Sequence, residues 1–242
     1  MPRLRRRVLA IVLPLVVLAS VSSGGSGRAA TDRPAQVVVI KSGVVPGGES
    51  AGNAGYGYAQ YGLVLRNRSL TRDALDVSVE VEAVDARGRS FTDSYTTVTL
   101  IPAAANFVIS GALIWGDSLD IAGIETEVHV RQTAPRRRRL PPVKHLSVTN
   151  SGDISGSLTN PYKKPLPEGA TTYGVVLDSR GRIVAAGYDA TDTVTGPRAT
   201  AWFEILGNST AHLDAVTSAK VSVDPCGYLA FTRVCPVPGA QN

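Results

Sequence analysis

Residues that carry chemistry are scarce in this sequence. Its 242 positions hold three histidines, two cysteines, two tryptophans and one methionine, and aromatic residues make up only 6%. There is no H-E-x-x-H pair, and no histidine stands at metal-ligand spacing from another, which removes the common zinc-hydrolase pattern. The glycine-rich stretch Ser42 to Gly62 contains neither G-x-G-x-x-G nor G-x-x-x-x-G-K-[ST] opening onto a helix, so a phosphate-cradling loop is not expected. Gly116-Asp117-Ser118-Leu119-Asp120 lacks the second glycine of a nucleophile elbow. These spacings imply no cofactor and no metal, and the expectation is a non-enzyme. A secreted hydrolase whose Ser, His and Asp come from distant positions remains as a third reading.

Long apolar runs are missing too, apart from one at the start. MPRLRRR precedes the apolar stretch Val8 to Val21, and the small residues SSGGSGRAA follow, the order of a secretory signal peptide. At 14 residues with Pro14 inside it, the run falls short of the roughly 20 a spanning helix needs. Cleavage after Ala19 or within Ser22 to Ala29 is expected, and the mature chain should sit outside the cytoplasm. In such a compartment Cys226 and Cys235, close together near the C-terminus, are expected to form one disulfide.

Excess charge of one sign is largely absent from the folded part. The formal net charge is +5, but Arg3, Arg5, Arg6 and Arg7 lie in the leader. From Gly24 onward, 21 Lys plus Arg face 20 Asp plus Glu. Nucleic acid is therefore not an expected partner.

What is present is a period of two. DVSVEVEAV puts Val77, Val79, Val81 and Ala83 on one face and Ser78, Glu80 and Glu82 on the other, the mark of a half-buried antiparallel strand. ETEVHVR repeats it with Thr126, Val128 and Val130 inward and His129 outward. Further β-branched runs start at Val37, Tyr95, Phe107, Val175 and Lys220, and no amphipathic helix of ordinary length is evident. Laid on itself, the chain matches at an offset of 93: Leu65–Asn67 with Leu158–Asn160, Asp85–Arg89 with Asp178–Arg182, and Glu127–Val130 with Lys220–Val223. Three matches in one register predict two copies of one domain. The repeated D-x-R-G-R predicts a hairpin turn, with the aspartate bonding the turn backbone and Gly88 or Gly181 in the left-handed region. About seven short strands per copy predict an all-β chain of two tandem immunoglobulin-like β-sandwiches after a cleaved signal peptide. Phe107, Trp202 and Phe203 are the expected core aromatics.

The succession G-x-L-x-N, an apolar strand into D-x-x-G-R, a further strand, a bend and an aromatic strand resembles the FxLYD-type Ig-like domains of exported bacterial proteins. VEAVDARGRS and VVLDSRGRI carry most of the likeness, followed by IPAAANFVI and TGPRATAWFEI. Ala83 and Val84 depart from it, standing where an aromatic is common. The resemblance implies a cell-envelope accessory or interaction module and supplies no catalytic residues.

The expected organisation is then a signal peptide and leader over 1–30, a first sandwich over 31–132, a Pro/Arg linker over 133–142, and a second sandwich with a disulfide-tied tail over 143–242. Two surfaces are candidate contacts. Tyr56, Tyr58 and Tyr61 form a tyrosine-rich segment suited to stacking on a sugar or gripping a partner, the basis of an alternative reading as a carbohydrate-binding module. Arg136, Arg137, Arg138 and Arg139 read first as a solvated spacer, and second as an electrostatic contact to an anionic wall polymer or a membrane surface. The partner expected on either surface is an envelope protein or glycan. Asp117 with Asp120 and Asp189 with Asp192 read as turn formers. The sequons at Asn67 and Asn208 matter only where a host glycosylates them.

Overall fold

A computed structural model describes residues 35–46, 57–115, 121–167, 170–190, 195–207 and 216–226. The chain divides between Ala30 and Thr31, and the expected leader lies outside the described residues. No helix long and apolar enough to cross a membrane occurs among the described residues.

The protein is all-β. Strands β1 (Val37–Pro46), β2 (Gly57–Asn67), β3 (Arg72–Val84), β4 (Ser90–Ile101), β5 (Asn106–Trp115) and β6 (Gly123–Pro135) form one set. Strands β7 (Val143–Val148), β8 (Ile154–Thr159), β9 (Thr171–Asp178), β10 (Ile183–Ala190), β11 (Thr200–Ile205) and β12 (Val216–Asp224) form the other. Each set makes two three-stranded sheets, β1-β2-β5 with β4-β3-β6 and β7-β8-β11 with β10-β9-β12. The strand order of the second set copies that of the first, and every pairing is antiparallel. Six strands per repeat are described, where about seven were expected. Part of the glycine-rich stretch that starts at Ser42 is strand, because Ser42–Pro46 pair with Ala59–Leu63.

Alternation along two strands gives the order of the layers. Tyr61 of β2 reaches Ser94 and Thr96 of β4, whereas a Cβ on neighbouring Gly62 would meet Val175 and Ala186 of the second repeat. Successive strand residues face opposite ways, so sheet β1-β2-β5 lies between β4-β3-β6 and β10-β9-β12. On β9 the same logic repeats: Val175 faces Gly62, and a Cβ on Gly174 would meet Ile154 of β8 and Ile205 of β11. The described residues therefore form four stacked sheets, with both repeats sharing a single hydrophobic cluster that includes Leu63, Val79, Phe107, Tyr173 and Val175. Phe107 and Tyr173 meet edge to face across that boundary, ring centroids 6.3 Å apart, worth about 0.5–1.5 kcal/mol beyond area burial. A second cluster, with Leu158, Val176, Phe203 and Ile205, fills the second repeat.

Hydrogen bonds reinforce the contact between repeats. Val108 N–H donates to Ser222 Oγ at 2.9 Å, and Thr99 N–H donates to Asp224 Oδ2 at 3.0 Å. Val108 and Thr99 belong to β5 and β4, outer strands of their sheets. Strand β12 thus satisfies backbone donors that the first repeat leaves open.

Candidate functional site

The duplicated motifs serve the fold. Asp85 Oδ1 accepts the N–H groups of Arg87 and Arg89 at 2.8 and 3.0 Å, and Asp178 Oδ1 accepts those of Arg180 and Arg182 at 2.9 and 2.8 Å. Gly88 and Gly181 stand at φ 74° and 71°, the left-handed conformation that glycine adopts without a Cβ clash. The Arg89 and Arg182 backbone N–H groups, more than their guanidinium bonds, hold the two carboxyls below the usual aspartate range against the opposing effect of desolvation. Asn67 and Asn160 are equally structural. Asn67 Nδ2 donates to the carbonyls of Arg72 and Ile101, and Asn160 Nδ2 to those of Lys164, Thr195 and Gly196. Both are fully buried, so the sequon at Asn67 is closed to a glycan in the folded protein; Asn208 lies outside the described residues.

Among the expected contact residues, Tyr61 requires correction. It is 0% exposed, its hydroxyl 3.2 Å from Ser94 Oγ and 3.0 Å from Thr96 Oγ1, and burial raises its pKa. β2 is covered on both faces, which leaves Tyr61 no route to a partner. Tyr58 is half-buried, and Tyr56 lies outside the described residues. Cys226 is fully buried against Leu75 and Leu100 and is not a free thiol; Cys235 lies outside the described residues.

The core expectation for Trp202 also fails. Phe107 and Phe203 are buried, but Trp202 is 73% exposed. Adjacent residues of a strand face opposite sides, and no described sheet lies over the outer side of β11. There the indole stacks on His145, centroids 6.2 Å apart and planes at 27°, and His145 Nδ1 lies 3.1 Å from Ser157 Oγ. His129 is on the open face of β6, as its alternation predicts, 3.1 Å from Glu127. His212 lies outside the described residues.

Arg136–Arg139 occupy the junction of the repeats and are held there by backbone bonds. Asp73, 0% exposed, accepts the N–H groups of Arg137 and Arg138 on Oδ2 at 3.1 and 3.2 Å and that of Ala103 on Oδ1 at 2.9 Å. The Arg138 guanidinium lies 3.6 Å from the same carboxylate. Arg136 N–H donates to Thr71 O at 2.8 Å, and Tyr162 Oη donates to Arg139 O at 2.7 Å. Burial, then the charge of Asp224, pushes the Tyr162 hydroxyl well up, with Arg138 opposing, so the phenol stays a donor. Arg136, Arg137 and Arg139 are exposed and Arg138 is half-buried.

Two clefts flank this run. One, of about 590 Å³, is lined by Pro102–Ala105, Arg136–Arg139 and Leu140. The other, of about 570 Å³, is lined by Pro135, Arg137–Arg139, Pro161 and Tyr162. Neither lining includes a carboxylate. The sequence alone shows the arginines; Asp73 and Tyr162, which set their backbone, carry no local signal because they lie 64 and 23 residues away. No group of three or more His, Cys, Asp or Glu suited to a metal occurs among the described residues.

Gly48-Glu49-Ser50-Ala51-Gly52 has the G-x-S-x-G spacing and lies outside the described residues. It is flanked by β1 and β2, which pair with each other, whereas a nucleophile elbow joins a strand to a helix.

No protein-family model matches the sequence, and no curated protein matches it. Among solved structures, a red sea bream transglutaminase is similar over 80% of this chain at 15% identity and a TM-score of 0.22, with this chain spanning 30% of that one. An oxalate decarboxylase aligns over 78% of both chains at 11% identity and a TM-score of 0.12. A Momordica charantia 7S globulin aligns over 74% of this chain and 84% of its own at 8% identity and a TM-score of 0.15. Likeness at that level carries no functional argument.

Proposed function

We propose that the chain is an exported, non-catalytic interaction module of the cell envelope or extracellular medium, built from two immunoglobulin-like sandwiches. The observation that carries this reading is the junction: an exposed arginine run whose backbone is fixed by a buried aspartate. A spacer needs no such anchoring, whereas a binding surface profits from preorganisation. The leader-like N-terminus and the resemblance to FxLYD-type domains support an extracytoplasmic setting, and the bridge between Cys226 and Cys235 belongs to the same proposal. The test is expression of the full chain in an exporting bacterial host, followed by fractionation, intact mass and incubation with whole envelopes. Recovery outside the cytoplasm at the mass of a shortened, disulfide-bonded chain, with retention on envelopes, is expected. Cytoplasmic recovery, or release in the first wash, would sink the reading.

A second reading, as a glycan-binding module, has its own observation. The outer face of β7-β8-β11 presents Trp202 beside His145, with Ser155, Thr159 and Thr200 along the same side. An exposed ring among hydroxyls suits the apolar face and hydroxyl edges of a sugar, and it moves that alternative from the tyrosine segment to Trp202. Quenching of tryptophan fluorescence by wall oligosaccharides, abolished by Trp202→Ala and unaffected by Tyr58→Ala, is the expected result. Quenching that survives Trp202→Ala would exclude it.

A further inference from the structure

We infer that the two clefts at the repeat junction bind a dense, extended polyanion, a polymer carrying one phosphate per repeat unit, with Arg137 and Arg139 as the principal contacts. This rests on the interaction-module reading above and names the chemistry of its ligand.

The argument begins with what holds the arginines. Asp73 neutralises one guanidinium, that of Arg138, and its remaining lone pairs take backbone N–H groups. Arg136 reaches back to Leu70 O at 3.5 Å. Arg137 and Arg139 line both clefts, and no carboxylate in either lining competes for them. Their backbone is fixed on both sides, by Asp73 and by Tyr162, so ordering them on a ligand costs side-chain entropy alone.

Charge density selects the ligand. Consecutive Cα atoms lie about 3.8 Å apart, so the cations are crowded along one short run, and crowding like charges is unfavourable until an anion of matching density neutralises them. Exposed cations of neighbouring loops add to the field: Arg68 lies beside the Ser69 and Thr71 carbonyls that anchor Ala104 and Arg136, and Lys163 and Lys164 lie next to Tyr162. A guanidinium presents a planar fork that takes two phosphate oxygens at once. Two concave clefts sharing one arginine run suit a chain that threads from one to the other, and a flat membrane surface would leave their floors empty.

The experiment uses the full disulfide-bonded chain, with long-chain inorganic polyphosphate and poly(glycerol phosphate) as probes, in titration calorimetry across a salt series. Binding is expected to weaken as salt rises. The double variant Arg137→Gln/Arg139→Gln is expected to bind at least about tenfold more weakly, with a salt dependence shallower by about 1 to 2 in log–log slope. The control, Arg87→Gln/Arg180→Gln, removes the same charge at the turns that end β3 and β9 and should leave affinity within about twofold. Preference for poly(glycerol phosphate) over polyphosphate would identify the ester backbone as part of what is recognised; equal binding would assign recognition to phosphate alone. The inference is overturned if neither polymer binds, if both double variants weaken binding equally, or if only phosphatidylglycerol vesicles bind. Envelope retention without polyanion binding would overturn this ligand and spare the module, whereas polyanion binding without envelope retention would do the reverse.

Discussion

The same sheet position in the two repeats faces opposite worlds. In β3, Glu80 and Glu82 stand on the outer face, half-buried at the side of the stack that no described sheet covers. At the equivalent positions of β9 stand Tyr173 and Val175, packed against the first repeat. The sheet on the other side of each sandwich shows the reverse. Val108 of β5 is buried beneath the second repeat, while its counterpart Trp202 on β11 is open. One topology has thus been used twice with its apolar surface placed on different sides, which lets the two copies stack. Terminal repeats with polar outer faces serve solubility in the same manner elsewhere.

That difference can be broken directly. Val175→Glu forces a carboxylate into the packing between the repeats, where Lys220 of β12 is its cross-strand neighbour, and the loss should reach about 3 kcal/mol. Its mirror, Glu82→Val, should change stability by no more than about 0.5 kcal/mol. Urea unfolding of both variants measures the contrast, and similar values would mean the repeats do not share a core.

Smaller effects sharpen the parts the repeats hold in common. Asn67→Ala and Asn160→Ala each strip buried carbonyls of their donor, and each should cost about 2–3 kcal/mol by the same assay. A large disparity would show that one clamp is dispensable. The least effect is expected at the turns. Asp85 and Asp178 have folded pKa values below their unfolded value, so their contribution is present above the unfolded pKa and fades as pH falls through the lower folded one. Stability should therefore drop below about pH 4. The double change Asp85→Asn/Asp178→Asn should flatten that limb slightly in pH-dependent unfolding, and an unchanged limb would assign it to other carboxylates.

Much of this architecture is written locally. The Asp and Gly of D-x-R-G-R announce their turns, because the bonds that need them close within four residues. The alternation of DVSVEVEAV announces a one-sided strand, and the offset of 93 announces the duplication. TTYGVVL, without a charge in seven residues, already differs from its counterpart in the manner of a strand covered on both faces. Trp202 and Phe203 were both expected inside, yet neighbours on a strand share a core only when both faces are covered, as on β2. Whether the second face is covered is decided by a sheet more than 90 residues away in the chain, and no local pattern carries that. The junction is similar: four arginines are conspicuous, but the carboxylate that arranges them is a single residue in β3.

The bonds from Ser222 and Asp224 to Val108 and Thr99 bear on how the chain is made. Synthesis runs from N- to C-terminus, so β4 and β5 emerge long before the strand that covers them. Until β12 arrives, the N–H groups of Val108 and Thr99 stay open on the rim of the first repeat, and an open rim is prone to pair with another chain. A polypeptide released short of residue 216 would never acquire those bonds, which makes β12 a checkpoint on synthesis of the second repeat.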